Sequence, residues 1–227
     1  FVVQYTITGY PRALEFSVVD AQRSVEYFKR IAATYGPRVA VWRYDTIIFS
    51  SITPLDFHLH NFEKIARSLQ GTTDEVVVSF LQVYRKTLRN MNAAADEFGF
   101  TWENPADEVK LELSLKLADI AQDYGMQLSM CGQRQFLADG IKDASCVDIT
   151  RLSDVAGKIL VTRKKGHRSD CGCYASKDIG EYDTCPHGCV YCYAVRNRDL
   201  ARRHYHEHDP QGEFLLAPKE QVSETKQ

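Results

Sequence analysis

A chain of 227 residues with 44% hydrophobic and 26% charged side chains can bury a sizeable core, which excludes a disordered or low-complexity polypeptide. No apolar run reaches membrane-spanning length. A formal charge of −2 leaves no global attraction to nucleic acid or to an anionic membrane, so any basic surface is confined to two local runs, "RKKGHR" at 163–168 and "RNRDLARRH" at 196–204.

In chain order, "FVVQYTIT" at 1–8 is β-branched and aromatic and predicts a strand, with Gln4 and Thr6 alternating against apolar neighbours. "AQRSVEYFKRIAATYG" at 21–36 spaces Val25, Phe28, Ile31 and Ala32 as one face of a helix that stops at Gly36-Pro37. "RVAVWRYD" at 38–45 is a second strand. The helix over 53–71 takes Thr53 as its N-cap and Gly71 as its terminator. "EVVVSFL" at 75–81 is a third strand, and "VYRKTLRNM" at 83–91 opens another helix. The stretch 104–125 is the clearest helix, with Val109, Leu113, Leu117 and Ile120 on one face, and "MQLSMC" at 126–131 is a fourth strand.

This alternation implies parallel strands joined by right-handed crossovers. The expected fold class is α/β: a partial TIM-like (β/α) barrel over residues 1–150. It is followed by a cysteine-rich segment, 151–204, with a helix starting near Tyr193, and by a flexible polar tail, 205–227, in which Phe214, Leu215 and Leu216 are the apolar exception. Residues 132–160 read as two short helical or loop pieces. Because Phe1 opens a strand with no leader ahead of it, upstream sequence or a partner chain is expected to complete the barrel. Without a secretory signal, a reducing, cytoplasmic setting follows, and seven cysteines is an odd number, which argues for metal or catalysis over a full disulfide set.

Five of those cysteines fall in "CGCYASKDIGEYDTCPHGCVYCYA", residues 171–194. Cys185, Cys189 and Cys192 are spaced C-x3-C-x2-C, and thiolate is a soft ligand suited to iron–sulfur or zinc. Gly188 permits a tight turn between ligands, and Tyr191 and Tyr193 are placed to cover a cluster. The spacing resembles that of radical S-adenosylmethionine enzymes, in which three cysteines hold a [4Fe–4S] cluster and the fourth iron chelates the cofactor. A structural zinc held by Cys171, Cys173, Cys189 and Cys192 is the plainer alternative. Cys131, Cys146, Cys171 and Cys173 form a candidate second site for another cluster or zinc; Cys171 or Cys173 completing the first cluster, or Cys131 and Cys146 as free core thiols, are open alternatives.

Arg43 and Asp45 end a strand, where a barrel collects cofactor or substrate contacts, and a rim ion pair is the competing reading. Tyr84, Arg85 and Lys86 follow the third strand, either as an anion site or as a solvated helix start. His58 and His60, two apart on a helix, point to different faces. The two basic runs flank the cysteines and form a candidate rim for nucleic acid.

Taken together, "WRYD" at 42–45, "VSFLQVYRKTLRN" at 78–90, the cysteine segment 171–194 and the Cys131, Cys146 pair resemble a bacterial family known only as a domain of unknown function. Some of its members are labelled DNA repair photolyases for a similarity to spore photoproduct lyase. The resemblance implies a radical-SAM-like barrel with an iron–sulfur cluster, and it implies a further N-terminal portion ahead of the strand at 1–8. It departs from radical-SAM enzymes in placing the cysteine motif at the C-terminal end.

Overall fold

The computed structural model describes residues 1–166 and 170–216. Its centre is a five-stranded sheet of β1 (Val3–Thr6), β2 (Ala40–Ile47), β4 (Glu75–Phe80), β6 (Gln127–Met130) and β7 (Ile141–Asp143), in that spatial order. Every neighbouring pair in it is parallel. Each new strand is laid beside the last, the order produced by successive right-handed crossovers. Among the described residues no sheet closes on itself, so the sheet is open where a barrel was expected. Two two-residue strands, β3 (Phe49–Ser50) and β5 (Trp102–Glu103), make a separate antiparallel ribbon.

The crossovers are α1 (Ala21–Tyr35), α2 (Leu55–Leu69) and α4 (Asp107–Asp123), with α3 (Arg85–Phe98) preceding β5. Strand alternation divides the sheet chemically. Trp42, Tyr44, Val76, Val78, Leu128 and Met130 point to the helices and form the main core with Phe28, Phe62 and Leu117. On the other face Val41 and Val77 make a small cluster with Ala144. Beyond them towards the strand C-termini that face turns polar.

Several local details differ from expectation. Pro54, not Thr53, holds the cap position of α2, because the Thr53 hydroxyl is spent on the Ile48 carbonyl, 2.7 Å away. On α4, Lys110, Leu113, Ser114 and Leu117 are the buried stripe and Val109 is exposed. The segment 132–160 contains a strand as well as helix: β7 follows a 3-10 turn at Arg134–Phe136 and precedes α5 (Ile149–Ala156). The last helix, α6 (Arg198–Glu207), starts five residues after Tyr193 and runs into the stretch read as tail. Phe214 and Leu215 are exposed. Of "RKKGHR", His167 and Arg168 lie outside the described residues. Among the described residues, no helix is long and apolar enough to cross a membrane.

The N-terminal ends of the strands are tied together. The Arg151 side chain, 4% exposed, bonds the Arg38 carbonyl at 2.9 Å and Glu75 at 2.7 Å, and lies 2.8 Å from Asp74. Arg38 in turn pairs with Asp74 and with Asp154 on α5.

Candidate functional site

At the C-terminal ends of the strands lies a cavity of about 830 Å³. In open parallel sheets this is the edge where ligands bind, since the loops diverge there. Gln4 and Thr6 of β1, Arg43 and Asp45 of β2 and Ser79 of β4 line it, followed by Cys131, just past β6, and Cys146, past β7. Glu15 and the cysteine-rich segment supply the facing wall.

The strand-end residues form one network. Arg43 pairs with Asp45, the two side chains 14% and 19% exposed, and Asp45 also accepts from the Ser79 hydroxyl. The second arm of Arg43 reaches the Gln4 side-chain oxygen, Oε1, at 3.2 Å and the Cys146 sulfur at 3.0 Å. Arg43 and Asp45 are thus an ion pair, as one of the two readings had it, and the same pair lines the cavity. Burial works against the Arg43 charge, but Asp45 and the neighbouring sulfur outweigh it and keep the guanidinium protonated. The Asp45–Thr46 peptide at this point is cis.

Cys131 and Cys146 face each other with sulfurs 4.0 Å apart. Each is fixed by its backbone, since the Cys131 N–H bonds the Val78 carbonyl at 2.9 Å and the Cys146 N–H points at the Cys173 sulfur at 3.2 Å. Cys171 touches Cys173, so all four thiols form one chain of contacts. The hydrogen bond from the Cys131 thiol, with help from Arg43, pulls the Cys146 thiol below the usual range and pushes Cys131 up.

The C-x3-C-x2-C loop closes through the Cys192 N–H to the Cys189 carbonyl, 3.2 Å. Gly188 has φ +68°, which favours glycine, and a Cβ there would stand 3.0 Å from Arg198 Nε, so any side chain would be strained and would also push the arginine aside. Arg198 itself lies 3.4 Å over the Phe16 ring. Asp183 staples the loop shut: its backbone N–H bonds the Ala194 carbonyl at 3.0 Å, and its carboxylate takes the Arg196 side chain at 2.7 Å and the Arg196 N–H. Two arginines of the basic run 196–204 thus serve the loop.

Cys189 and Cys192 line the cavity, while Cys185 is exposed and paired with His187, which lowers the thiol and raises the imidazole. Burial, with the Glu15 carboxylate beside it, pushes the Cys189 thiol up to about 12. Tyr191 is turned into the fold, packing on Tyr10 and giving its hydroxyl to Glu15 at 2.5 Å, so it anchors the loop. Tyr193 is 68% exposed on the cavity rim, and its carbonyl takes the Lys86 ammonium at 2.9 Å. Arg85 begins α3 and Tyr84 lines the cavity. His58 is buried and His60 exposed, on different faces as expected.

Glu15, like Ser79, lines the cavity and was missed by the sequence reading. It is buried, accepts from Thr8 at 2.5 Å as well as from Tyr191, and sits in a loop with no motif around it.

Residues 1–194 match the family described as a domain of unknown function, DUF1848. The chain belongs to the DUF1848 family. No curated protein and no solved structure matches it.

Among the described residues of this DUF1848 domain, no three His, Cys, Asp or Glu side chains converge as the ligands of one metal ion would. The zinc grouping of Cys171, Cys173, Cys189 and Cys192 is accordingly not gathered: the first two sit by Cys146, the others on the separate loop. Ligands of an iron–sulfur cubane bind different irons, so their sulfurs stand further apart than those around one ion. Three thiols on one stapled loop fit that donor chemistry.

Proposed function

We propose that this DUF1848 member is an iron–sulfur enzyme of radical S-adenosylmethionine type, with Cys185, Cys189 and Cys192 as ligands of a [4Fe–4S] cluster. The observation carrying this reading is that Cys189 and Cys192 open onto the same 830 Å³ cavity as the polar ends of three parallel strands, β1, β2 and β4. When bound, such a cluster delivers one electron that splits the cofactor's carbon–sulfur bond. The protein's own residues hold the loop and shape the cavity. Asp183 and Gly188 fix the ligand loop, and Tyr191 presses it against the core through Glu15. Arg43 and Asp45, already locked to each other, present oriented polar groups to whatever enters, at no further ordering cost.

The barrel belongs to the same proposal. Sequential strand order with the crossover helices against one face is the winding from which (β/α) barrels are built. On that reading the Val41–Val77 face is the barrel interior, and further β/α units complete it.

The test is anaerobic reconstitution, followed by assay of iron, acid-labile sulfide and zinc, then reduction in the presence of S-adenosylmethionine. About four irons per chain and release of 5′-deoxyadenosine support the proposal. A loaded cluster that releases none converts the reading to a non-catalytic redox protein. Zinc in place of iron overturns it.

A further inference from the structure

The cavity has a second reactive wall, independent of the cysteine loop. Cys131 and Cys146 follow adjacent parallel strands, β6 and β7, and their sulfurs are 4.0 Å apart across the strand ends. Forming a bond of about 2.0 Å between them requires roughly 2 Å of side-chain movement. Both sulfurs line the cavity, so a small molecule reaches them without any opening of the fold. A guanidinium stands 3.0 Å from Cys146 and, among the described residues, none stands at that distance from Cys131, which makes the pair unequal. Two thiols at bonding approach, one beside a fixed cation and both facing a solvent-sized space, are the elements of a dithiol exchange site.

We propose that Cys131 and Cys146 are a redox-active dithiol that reduces low-molecular-weight disulfides entering the cavity, with Cys146 the attacking sulfur and Cys131 the resolving one. Cys146 attacks one sulfur of the disulfide RSSR′. The S–S bond breaks, R′S⁻ leaves, and Cys146 carries R as a mixed disulfide. Cys131 then attacks the Cys146 sulfur, RS⁻ leaves, and a Cys131–Cys146 disulfide remains. The two protons of the protein thiols depart with the two released thiols. Two electrons pass from the pair to the small disulfide, so the exchange balances without another reagent. Cys173, which receives the Cys146 N–H at 3.2 Å, holds the attacking residue in place without joining the exchange.

The test uses the full chain, reduced and desalted under argon, and then a variant carrying Cys185→Ser, Cys189→Ser and Cys192→Ser together. That variant lacks the proposed cluster ligands, so the result is separable from the fate of the cluster reading. Each protein receives one equivalent of glutathione disulfide, and non-reducing peptide mapping locates the products. The expected result in both is a linked pair of peptides containing Cys131 and Cys146, with two glutathiones released. In Cys131→Ser the reaction stops at one glutathione on Cys146; in Cys146→Ser the adduct on Cys131 is roughly tenfold slower to form. Three outcomes overturn the proposal: glutathione distributed over the other cysteines with no Cys131–Cys146 link; equal reaction rates in the two single variants; or a metal bound by wild type that both single variants lose.

Discussion

The two ends of the sheet use the same kinds of residue to opposite purposes. At the N-terminal end Arg38 and Arg151 meet Asp74, Glu75 and Asp154, joining the entry of β2, the entry of β4 and helix α5. Both partners of each contact are protein groups, and none of them lines the cavity, although the Arg151 Nε is buried without a hydrogen-bond partner. At the C-terminal end Arg43 meets Asp45, but its remaining arm goes to a sulfur and an amide that border an 830 Å³ space. One ionic network closes the fold, while the other faces a cavity. The difference teaches that an Arg–Asp pair read from sequence is ambiguous until the chemistry of its third partner is known.

That comparison can be broken most severely at the base. Arg151→Met removes the cation from buried contacts and leaves Glu75 and Asp74 without their shared partner. A loss of about 3 kcal/mol is expected in urea unfolding, while iron content of the surviving folded protein stays unchanged. If iron falls in step with stability, the two ends are not separable.

A loss of similar size distinguishes the ends by pH. His58 donates from Nε2 to the Ile48 carbonyl, 2.9 Å, and accepts at Nδ1 from the Tyr44 hydroxyl, 3.0 Å. Burial lowers its pKa to about 4, so it is neutral in the folded protein. The unfolded chain takes up a proton at about pH 6.5, which the folded chain resists. Stability is therefore complete above pH 6.5 and falls by about 3 kcal/mol as the pH drops towards 4. His58→Gln should flatten that limb of the pH–stability curve, read by denaturant midpoints at pH 7.5 and 5.

Smaller effects are expected in the cysteine loop. Gly188→Ala meets both a left-handed backbone and Arg198, and should cost about 1–2 kcal/mol together with most of the reconstituted iron. Tyr191→Phe removes one hydroxyl from Glu15, with about 1 kcal/mol expected and a partial loss of iron. Preserved iron in both variants would mean that the loop's stapled shape is not what binds it.

Much of the frame was legible. Four of the five parallel strands and the three crossover helices follow from two competing periodicities, and the position of Arg43, Asp45 and Cys131 at strand ends follows from alternation. β7 was not legible, because Lys142 and Asp143 are exposed and only Ile141 of its three residues is buried, which leaves no pattern to read. α6 was misplaced because Asn197, whose side chain caps Leu200 N–H at 2.9 Å, starts it, while residues 194–196 are held irregular by Asp183. The sorting of seven thiols into a chain of four and a separate loop of three rests on contacts across 15 and 27 residues, Cys131 to Cys146 and Cys146 to Cys173, and spacing within one segment carries no trace of them. Glu15 was invisible for the same reason: its partners, Thr8 and Tyr191, lie in different parts of the chain, the second 176 residues away.

The bond from Arg38 to Asp154 spans 116 positions of the chain. As the polypeptide leaves the ribosome from its first residue onward, β1, β2 and β4 are available to pair long before α5 has been made. Until then the base has only its Arg38–Asp74 pair, and the half of the latch that Arg151 and Asp154 supply closes last. A ribosome paused before residue 154 should present a chain that already pairs its strands yet is far more open to protease at their entry ends than one released a few codons later.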